Sequence, residues 1–282
     1  MVNLLQGKPV AGAILTELKS KIISSEQLNH IPKLAIIRVG ENADDLYYEH
    51  SIQTTCQTIG MDCQVFEYKN NITQQALEHA VYTITNKSTI HGVLILVPLP
   101  LFFNSQRVRK LIPPSKDVDG LNPQTGGNFY MGDHKAFVPC TAQACLALLN
   151  FYNIELAGRH CVIINRSLTV GKPLSLLLLD KNATVTICHS KTRQLAQLCQ
   201  RADILITATG QPKIITPEFT HRAQIILDIG INHDPASPGR YCGDVDFEKV
   251  APLVKKITPV PGGIGAITTA VLCQHTFFAA TQ

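Results

Sequence analysis

Charged and aromatic residues are both scarce in this sequence of 282 residues. Tryptophan is absent, aromatic residues make up 6% of the chain, and charged residues make up 16%. Lys and Arg number 25 against 21 Asp and Glu, so the net charge is only +4, and it is spread without runs of like charge. A positive charge this small and dispersed argues against a nucleic-acid partner and indicates an ordinary solvated surface.

Long apolar runs are also missing from the sequence. No window approaches the roughly 18 uninterrupted apolar residues that a membrane-spanning helix needs. The N-terminal stretch MVNLLQGKPVAG contains no basic segment followed by an apolar one, which is the pattern of a secretion signal. We therefore expect neither secretion nor membrane insertion, and we expect a cytoplasmic protein.

The nine cysteines form no CxxC pair and no cluster with histidine. Their number is odd and they are scattered along the chain, which suits reduced thiols buried as small hydrophobic side chains. The ten histidines are equally dispersed and show no His-x-x-x-His spacing. We predict no metal site, and reduced thiols agree with a cytoplasmic location.

What the sequence does contain is enough hydrophobic material for two domains. Hydrophobic residues make up 45% of the chain, and its length exceeds that of one ordinary domain. In the first half, helical periodicity alternates with short apolar runs rich in β-branched residues, which predicts helices separating buried parallel strands. The predicted strands are 34–39, 64–68 and 92–97, and the predicted helices are about 10–22, 43–58 and 73–84, the second of them ending at Gly60.

Prolines at 98, 100, 113 and 114 interrupt the region that follows, and the segment 122–132 is rich in Gly and Asn, so we expect a domain boundary close behind it. Thr141 then predicts the N-terminal cap of a linking helix. Beyond it the alternation restarts, which is typical of a Rossmann-like domain. The predicted fold class is α/β with two domains: an N-terminal α/β domain with a parallel sheet, residues 1–140 completed by a C-terminal helix within 265–282, and a Rossmann-like NAD(P)-binding domain, residues 141–264.

A loop from Asn165 to Pro173 lies between a predicted strand and a predicted helix, where a pyrophosphate meets helix amides. It contains only Gly171 of a GxGxxG motif, so by itself it is a weak signal. At the end of the next strand, where an NAD-type domain places an acid, the chain reads HSKTR from His189 to Arg193. Together with Arg166 this basic turn suits the additional phosphate of NADP and makes NAD the less favoured cofactor.

Five blocks of sequence now occur in a familiar order. They are KDVDG (116–120), PCT (139–141), the loop from Arg166 to Pro173, HSKT (189–192) and TPVPGGIG (258–265). In this order they resemble the bifunctional methylenetetrahydrofolate dehydrogenase/cyclohydrolase family, often called FolD. The resemblance covers essentially the whole chain.

The resemblance implies a homodimer in which a tetrahydrofolate derivative is held in a cleft between the two domains. It implies that Tyr48 contacts the folate ring and that Asp119 hydrogen-bonds the pterin, both as catalytic residues. It implies further substrate contacts from Val97, Pro261, Gly262 and Gly265. The cofactor-binding residues that it implies are Thr141, Asn165, Arg166, Ser167, Val170, Gly171, His189, Ser190, Thr209, Gly230 and Ile231.

Two polar positions of the family pattern are aliphatic in this chain. The catalytic lysine, four residues after the tyrosine, is replaced by Ile52. The glutamine before the family's Leu-Pro-Leu-Pro segment, which reads VPLP at 97–100 in this chain, is replaced by Leu96. Hydride transfer from the methylene bridge requires no proton transfer, whereas hydrolysis of the methenyl product does. We therefore expect an NADP-dependent dehydrogenase whose cyclohydrolase activity is weak or lost.

Smaller departures from the family pattern are Asn165, Ala142 and Ala266. Asn165 replaces a glycine, and because asparagine can adopt glycine-like backbone angles at modest cost, we expect the nucleotide loop to be retained. Two alternatives remain open. The chain could be fully bifunctional, with His50 or Glu49 replacing the lysine, or it could be a non-catalytic folate- or nucleotide-binding relative that acts as a partner or regulator.

Overall fold

The structure, a computed structural model, describes residues 3–24, 30–237 and 239–282. It divides into two compact units. The first unit is Gly12–Cys140 with Thr269–Gln282, and the second is Thr141–Thr268 with the described residues up to Ala11. The predicted division placed those N-terminal residues in the first domain. They group with the second because Leu5 donates its backbone N–H to Ile257 and Gly7 donates to Gly262.

Ten α-helices and ten β-strands are formed by the described residues. The helices are α1 Gly7–Ser24, α2 Ala43–Ile59, α3 Gln74–Thr85, α4 Ser105–Arg109, α5 Pro123–Tyr130, α6 Cys140–Phe151, α7 Gly171–Leu179, α8 Leu195–Gln200, α9 Phe247–Val250 and α10 Ile264–Ala280. The strands are β1 Lys33–Val39, β2 Asp62–Tyr68, β3 Gly92–Ile95, β4 His160–Ile164, β5 Thr184–Cys188, β6 Ile204–Thr207, β7 Ile225–Asp228, β8 Asn232–His233, β9 Tyr241–Cys242 and β10 Lys256–Ile257. None of the helices in the described ranges has the length and apolar character that crossing a membrane requires.

The first unit contains a parallel three-stranded sheet in the order β2-β1-β3. Alternate residues of β1 face opposite sides of the sheet. Ala35, Ile37 and Val39 pack with the buried side of α3 in one core. The other side of β1 carries Arg38, which pairs with Glu49 of α2. The two helices therefore cover opposite faces of the sheet.

Helix α2 has clear signals at both ends. The side chain of Asn42 accepts a hydrogen bond from the backbone N–H of Asp44 at its start, and Gly60 ends it in the left-handed conformation that the sequence predicts. Its buried residues, Glu49, Ile52, Cys56 and Ile59, recur at helical spacing. Ile52, which occupies the family's lysine position, therefore faces the sheet.

The second unit contains a parallel five-stranded sheet in the order β10-β7-β6-β4-β5. From β4 the chain goes to β5 on one side and then returns to β6 on the other, so the strand order reverses between β4 and β6. Ligands of open α/β sheets bind at the carboxyl ends of the strands where this reversal occurs. The predicted fold class, two α/β domains of which one is Rossmann-like, is confirmed.

One helix was not predicted, and one prediction of local structure was wrong in detail. The Gly- and Asn-rich segment 122–132 contains helix α5, because Asn122 accepts from the N–H of Gln124 and Pro123 occupies the first helical position. These signals outweigh the two glycines of the helix. Thr141 does not cap α6 but lies one residue inside it, since the helix begins at Cys140.

Candidate functional site

The carboxyl edge of the five-stranded sheet gathers most of the predicted cofactor-binding residues. The strand register aligns Cys188, Ile164, Thr207 and Asp228 in one row across the sheet. Each of these residues ends its strand, and the predicted residues follow directly after them. They are His189 and Ser190 after β5, Asn165, Arg166 and Ser167 after β4, Thr209 after β6, and Gly230 and Ile231 after β7.

Asn165 organises the loop after β4. Its side-chain Oδ1 accepts from the N–H groups of Ser167 at 2.8 Å and Gly171 at 3.0 Å, and its Nδ2 donates to the carbonyl of Ala208 at 2.6 Å. Asn165 does not use the glycine-like backbone angles that are open to asparagine, since its φ is not positive. The side chain instead contributes three hydrogen bonds that glycine could not make.

Gly171 is required at the start of α7 by the close approach of this loop. A Cβ atom at Gly171 would lie 2.0 Å from the carbonyl oxygen of Asn165, which no side chain could tolerate. The neighbouring N–H of Val170 donates to Ser167 Oγ at 3.0 Å. The first amides of α7 are therefore already hydrogen-bonded within the loop, while the Arg166 side chain is exposed.

The turn after β5 is compact and carries no carboxylate. The N–H of His189 donates to Thr192 Oγ1 at 2.9 Å, and the N–H of Lys191 donates to His189 Nδ1 at 3.2 Å. Ser190 is exposed beside the loop of Arg166, because β4 and β5 are neighbouring strands. A phosphate group at this corner would meet hydroxyl groups and cations without a competing acid.

Two buried carboxyl groups, Asp228 and Asp244, lie beneath the loops after β6 and β7. Asp244 accepts from Thr207 Oγ1 at 2.9 Å and from the N–H of Thr209. Asp228 accepts from the N–H of Gly230 at 3.0 Å. Burial, opposed by its backbone hydrogen bonds and assisted by Asp244, raises the pKa of Asp228 to about 7. Neither residue stands in a motif of the sequence, although Asp228 ends the short apolar run of β7.

The loop of Pro261, Gly262 and Gly265 belongs to the second unit, as does Thr141. Gly262 accepts from the N–H of Gly7 at 2.8 Å, which fixes the loop to the start of α1. Gly265 lies in the first turn of α10, where a Cβ atom would be 3.7 Å from Ile231 Cδ1. Thr141 lies in the first turn of α6, which precedes β4 in the chain, so it does not belong to the segments that follow the strands of the five-stranded sheet.

In the first unit, Tyr48 and Asp119 lie close enough for the charge of Asp119 to affect the pKa of Tyr48. Tyr48 is hydrogen-bonded to Thr269, and burial raises its pKa well above the usual value, with smaller contributions from Cys140 and Asp119. Asp119 Oδ1 accepts from the N–H of Cys140 at 3.3 Å, yet burial raises the pKa of Asp119 to about 6. Tyr48 therefore stays protonated at neutral pH, whereas Asp119 loses its proton at a pH slightly below neutral.

Ile52 and Leu96 share the face of the sheet that α2 covers. Ile52 is fully buried on the inner side of α2. Leu96 donates its backbone N–H to Ile37 and is also buried, and strand alternation places its side chain on the side of Arg38. Val97 packs against the core on the opposite face. The side chain of Val97 therefore lies on the other side of the sheet from the side chains of Ile52 and Leu96.

A buried ion pair occupies the same face. Arg38 Nε donates to Glu49 Oε2 at 2.7 Å, and the guanidinium also contacts the carbonyl of Gly40 and, at 3.3 Å, Glu67. Burial by itself would lower the pKa of Arg38, but hydrogen bonds and charge from Glu49 and Glu67 together raise it. His50 is exposed on the outer side of α2. Neither residue that was proposed to replace the lysine is free and directed inward.

A histidine that sequence reasoning missed lies behind Asp119. His275 of α10 contacts the carbonyl of Val118 through Nδ1 at 2.8 Å and lies 3.7 Å from the thiol of Cys140. Burial lowers the pKa of His275 to about 4, and burial raises the pKa of Cys140 well above its usual value. Both groups are neutral at physiological pH. His275 and Val118 are more than 150 residues apart in the chain, so no local sequence pattern indicates their contact.

Metal-ligand geometry is not found in the described part of the chain, where His, Cys, Asp and Glu form no group that could hold an ion. All nine cysteines are free thiols, and the sulfurs of Cys56 and Cys273 lie 3.9 Å apart. The candidate sites are therefore the nucleotide-binding edge of the sheet in the second unit and, in the first unit, the half-buried tyrosine and carboxyl group of Tyr48 and Asp119.

Comparison with known domain families matches both units. The catalytic domain of tetrahydrofolate dehydrogenase/cyclohydrolase matches residues 5–119, and the NAD(P)-binding domain of the same family matches residues 139–282. A relative named bifunctional protein FolD, from Carboxydothermus hydrogenoformans, is 50% identical over 98% of this chain and 96% of its own.

Two solved structures are similar over nearly the full length of the chain. The bifunctional enzyme FolD of Campylobacter jejuni has a TM-score of 0.94 with 36% identity and covers 99% of both chains. The methylenetetrahydrofolate dehydrogenase-cyclohydrolase of Trypanosoma brucei, solved with NADP cofactor and inhibitor, has a TM-score of 0.93 with 30% identity over 99% of this chain and 97% of its own.

Proposed function

The chain belongs to the tetrahydrofolate dehydrogenase/cyclohydrolase family, and from this membership we propose that it is an NADP-dependent 5,10-methylenetetrahydrofolate dehydrogenase whose cyclohydrolase activity is weak or lost. The observation that carries the proposal is Ile52, a fully buried aliphatic residue at the catalytic lysine position. We assign folate binding to the first unit, through Tyr48 and Asp119, and nucleotide binding to the second.

The dehydrogenase reaction depends on positioning more than on proton transfer. NADP would supply a nicotinamide ring as acceptor for the hydride of the methylene bridge, and the neighbouring nitrogen lone pair of the folate would stabilise the positive charge left behind. Asp119 would accept hydrogen bonds from the pterin, and Tyr48 would contact the ring as a neutral phenol. Such positioning supplies a large part of the rate of a reaction between two bound molecules. This step does not require a proton carrier at the positions of Ile52 and Leu96.

Hydrolysis of the methenyl product needs a group that moves protons to and from water. Isoleucine cannot do so, and losing such a group costs on the order of a hundred- to ten-thousandfold in rate. The neighbouring candidates are unsuitable. Glu49 is paired with Arg38, His50 is exposed, and the raised pKa of Tyr48 keeps its proton in place. These contacts also argue against the bifunctional alternative.

The test compares both activities in the native protein and in the Ile52→Lys, Leu96→Gln double variant. The native protein should form NADPH and accumulate the methenyl product, and the double variant should hydrolyse that product at least about tenfold faster. Ile52→Met, Leu96→Met is the matched control, since it keeps the site apolar. Dehydrogenase turnover reports folding in each variant. Equal hydrolysis in the native and double-variant proteins would contradict the proposal, as would a native protein that reduces neither NADP nor NAD.

The preference for NADP is supported by the turn after β5. Exposed Ser190 lies next to the loop of exposed Arg166, and no acid competes with a 2′-phosphate. Ser190→Asp should shift the ratio of kcat/KM values for NADP and NAD toward NAD by about tenfold or more, because it repels the phosphate. Thr184→Asp adds the same charge at the opposite end of the strand and should leave the ratio unchanged. An unchanged ratio in Ser190→Asp would refute this assignment.

We further propose a cytoplasmic homodimer. The location is supported by nine free thiols, which suit a reducing compartment, and the dimer by the family resemblance. Size-exclusion chromatography with light scattering should give twice the 30.9 kDa mass of the chain. A mass of one chain at micromolar concentration would contradict the dimer.

A further inference from the structure

Asp244 joins three separate backbone segments of the second unit. One oxygen of its carboxylate, Oδ2, accepts from the hydroxyl of Thr207 and the N–H of Thr209, after β6. The other oxygen, Oδ1, accepts from the side-chain amide of Asn232 on β8, at 3.0 Å. The side chain of Asp244 is completely buried, so water cannot replace these bonds.

The loop after β7 is shaped around the same carboxylate. A Cβ atom at Gly230 would lie 2.1 Å from Asp244 Oδ1, so only glycine allows the backbone to pass over it. Asp228 stabilises the same loop, because its Oδ1 accepts hydrogen bonds from the backbone N–H groups of both Gly230 and Asp244. Thr209, Gly230 and Ile231 therefore take their positions from a buried acid that none of the motifs in the sequence singled out.

We propose that Asp244 is the positioning residue of the nucleotide site. Its carboxylate holds the loops after β6 and β7 in the arrangement that receives the dinucleotide. The assignment rests on the proposed function, since it needs the nucleotide to bind at this edge. Asp244 contacts neither the substrate nor the cofactor in this role, so its loss weakens nucleotide binding and leaves the chemical step itself largely intact.

The test measures nucleotide binding and kinetics in Asp244→Ala and Asp244→Asn. Asp244→Ala leaves Thr207, Thr209 and Asn232 without their acceptor, and the Kd for NADPH and the KM for NADP should rise roughly tenfold or more. The value of kcat and the KM for the folate should change much less. Asp244→Asn should restore nearly normal values, because its Oδ1 still accepts from Thr207 and Thr209, and its amide can donate to Asn232 after that side chain rotates.

Asp246→Ala is the control, since Asp246 lies two residues away and pairs with Lys249 outside this cluster. It should leave the Kd for NADPH within about twofold of normal. If Asp244→Ala does not fold, Asn232→Ala provides the measurement, because it removes one donor from a partly exposed hairpin and should raise the Kd about threefold. A merely structural role would lower stability without separating the KM for NADP from kcat.

The outcomes separate this assignment from the proposed function. If the native protein binds NADPH and folded Asp244→Ala binds it equally well, the assignment is overturned and the proposed function stands. If Asp244→Ala is unfolded and Asn232→Ala leaves the Kd unchanged, the assignment is again overturned. If the native protein binds neither NADPH nor NADH, the proposed function is overturned and this assignment with it.

Discussion

Asn165 donates a hydrogen bond of 2.6 Å from its side-chain Nδ2 to the carbonyl of Ala208. The bond joins the loops that follow β4 and β6, the two adjacent strands between which the strand order reverses. The family pattern has glycine where this chain has Asn165, so the bond depends on the substitution. It fixes the separation of two loops that line the proposed nucleotide site.

Substitution of Asn165 should therefore change nucleotide affinity. Asn165→Asp keeps an acceptor for the N–H groups of Ser167 and Gly171 but sets a carboxylate against the carbonyl of Ala208 and near the bound phosphates. We expect the Kd for NADPH to rise about tenfold or more in Asn165→Asp. Asn165→Gly removes the bond without adding charge and should cause a smaller increase. Fluorescence titration measures both, and a larger effect in Asn165→Gly would contradict this account.

Stability at acid pH should depend on His275. Burial lowers the pKa of His275 to about 4, below its value in the unfolded chain, so the folded state binds fewer protons between those values. Stability is therefore lost as pH falls from about 6.5 to about 4, by about 3 kcal/mol from this group. His275→Asn should remove that part of the pH dependence in urea unfolding. The exposed His134→Asn should retain it, and equal slopes in native protein and His275→Asn would refute the prediction.

The pair of Arg38 and Glu49 should show the asymmetry of a buried ion pair. Glu49→Val leaves the guanidinium largely uncompensated and should lower the free energy of unfolding by about 3–5 kcal/mol. The double variant Arg38→Met, Glu49→Val should recover most of this loss, because two apolar side chains pack without desolvating a charge. Removal of Glu17, which pairs with Lys21 on an exposed surface, should cost less than about 1 kcal/mol. A double variant as unstable as Glu49→Val would contradict this view.

The same double variant tests whether Glu49 takes over the lysine's role. Dehydrogenase turnover should persist in Arg38→Met, Glu49→Val, and the weak hydrolysis should be no weaker than in the native protein. Loss of hydrolysis with dehydrogenase turnover retained would identify Glu49 as a proton carrier. That result would favour the bifunctional alternative.

Folate affinity should follow the ionisation of Asp119. Burial raises the pKa of Asp119 to about 6, and the ionised carboxylate is the better acceptor for pterin N–H groups. The Kd of a stable folate analogue should therefore fall as pH rises from about 5 to about 7.5. Calorimetry on Asp119→Asn should give weaker binding with little pH dependence over that range. The exposed Asp133→Asn should behave as the native protein does, and an unchanged slope in Asp119→Asn would rule out Asp119 as the titrating group.

Several elements could be predicted because their signals are local. The run of apolar and β-branched residues predicted a strand at 34–39, where the structure has β1 at Lys33–Val39, and Asn42 and Gly60 delimit α2 by hydrogen bonds within a few residues. The hairpin of β8 and β9 and the short strand β10 were not predicted. Two residues are too few to carry a period, and their pairing depends on neighbours elsewhere in the chain.

The sequence by itself determined the family, the aliphatic residues at the lysine and glutamine positions, and the absence of an acid after β5, because these are questions of which residue occupies a known place. Only the tertiary structure decided that Glu49 is bound by Arg38, that Val97 faces away from Ile52, and that Asp244 lies beneath Gly230 and Thr209. Each of these depends on segments distant in the chain meeting in a dry interior, where a polar group must find a partner. Chain order does not specify that partner.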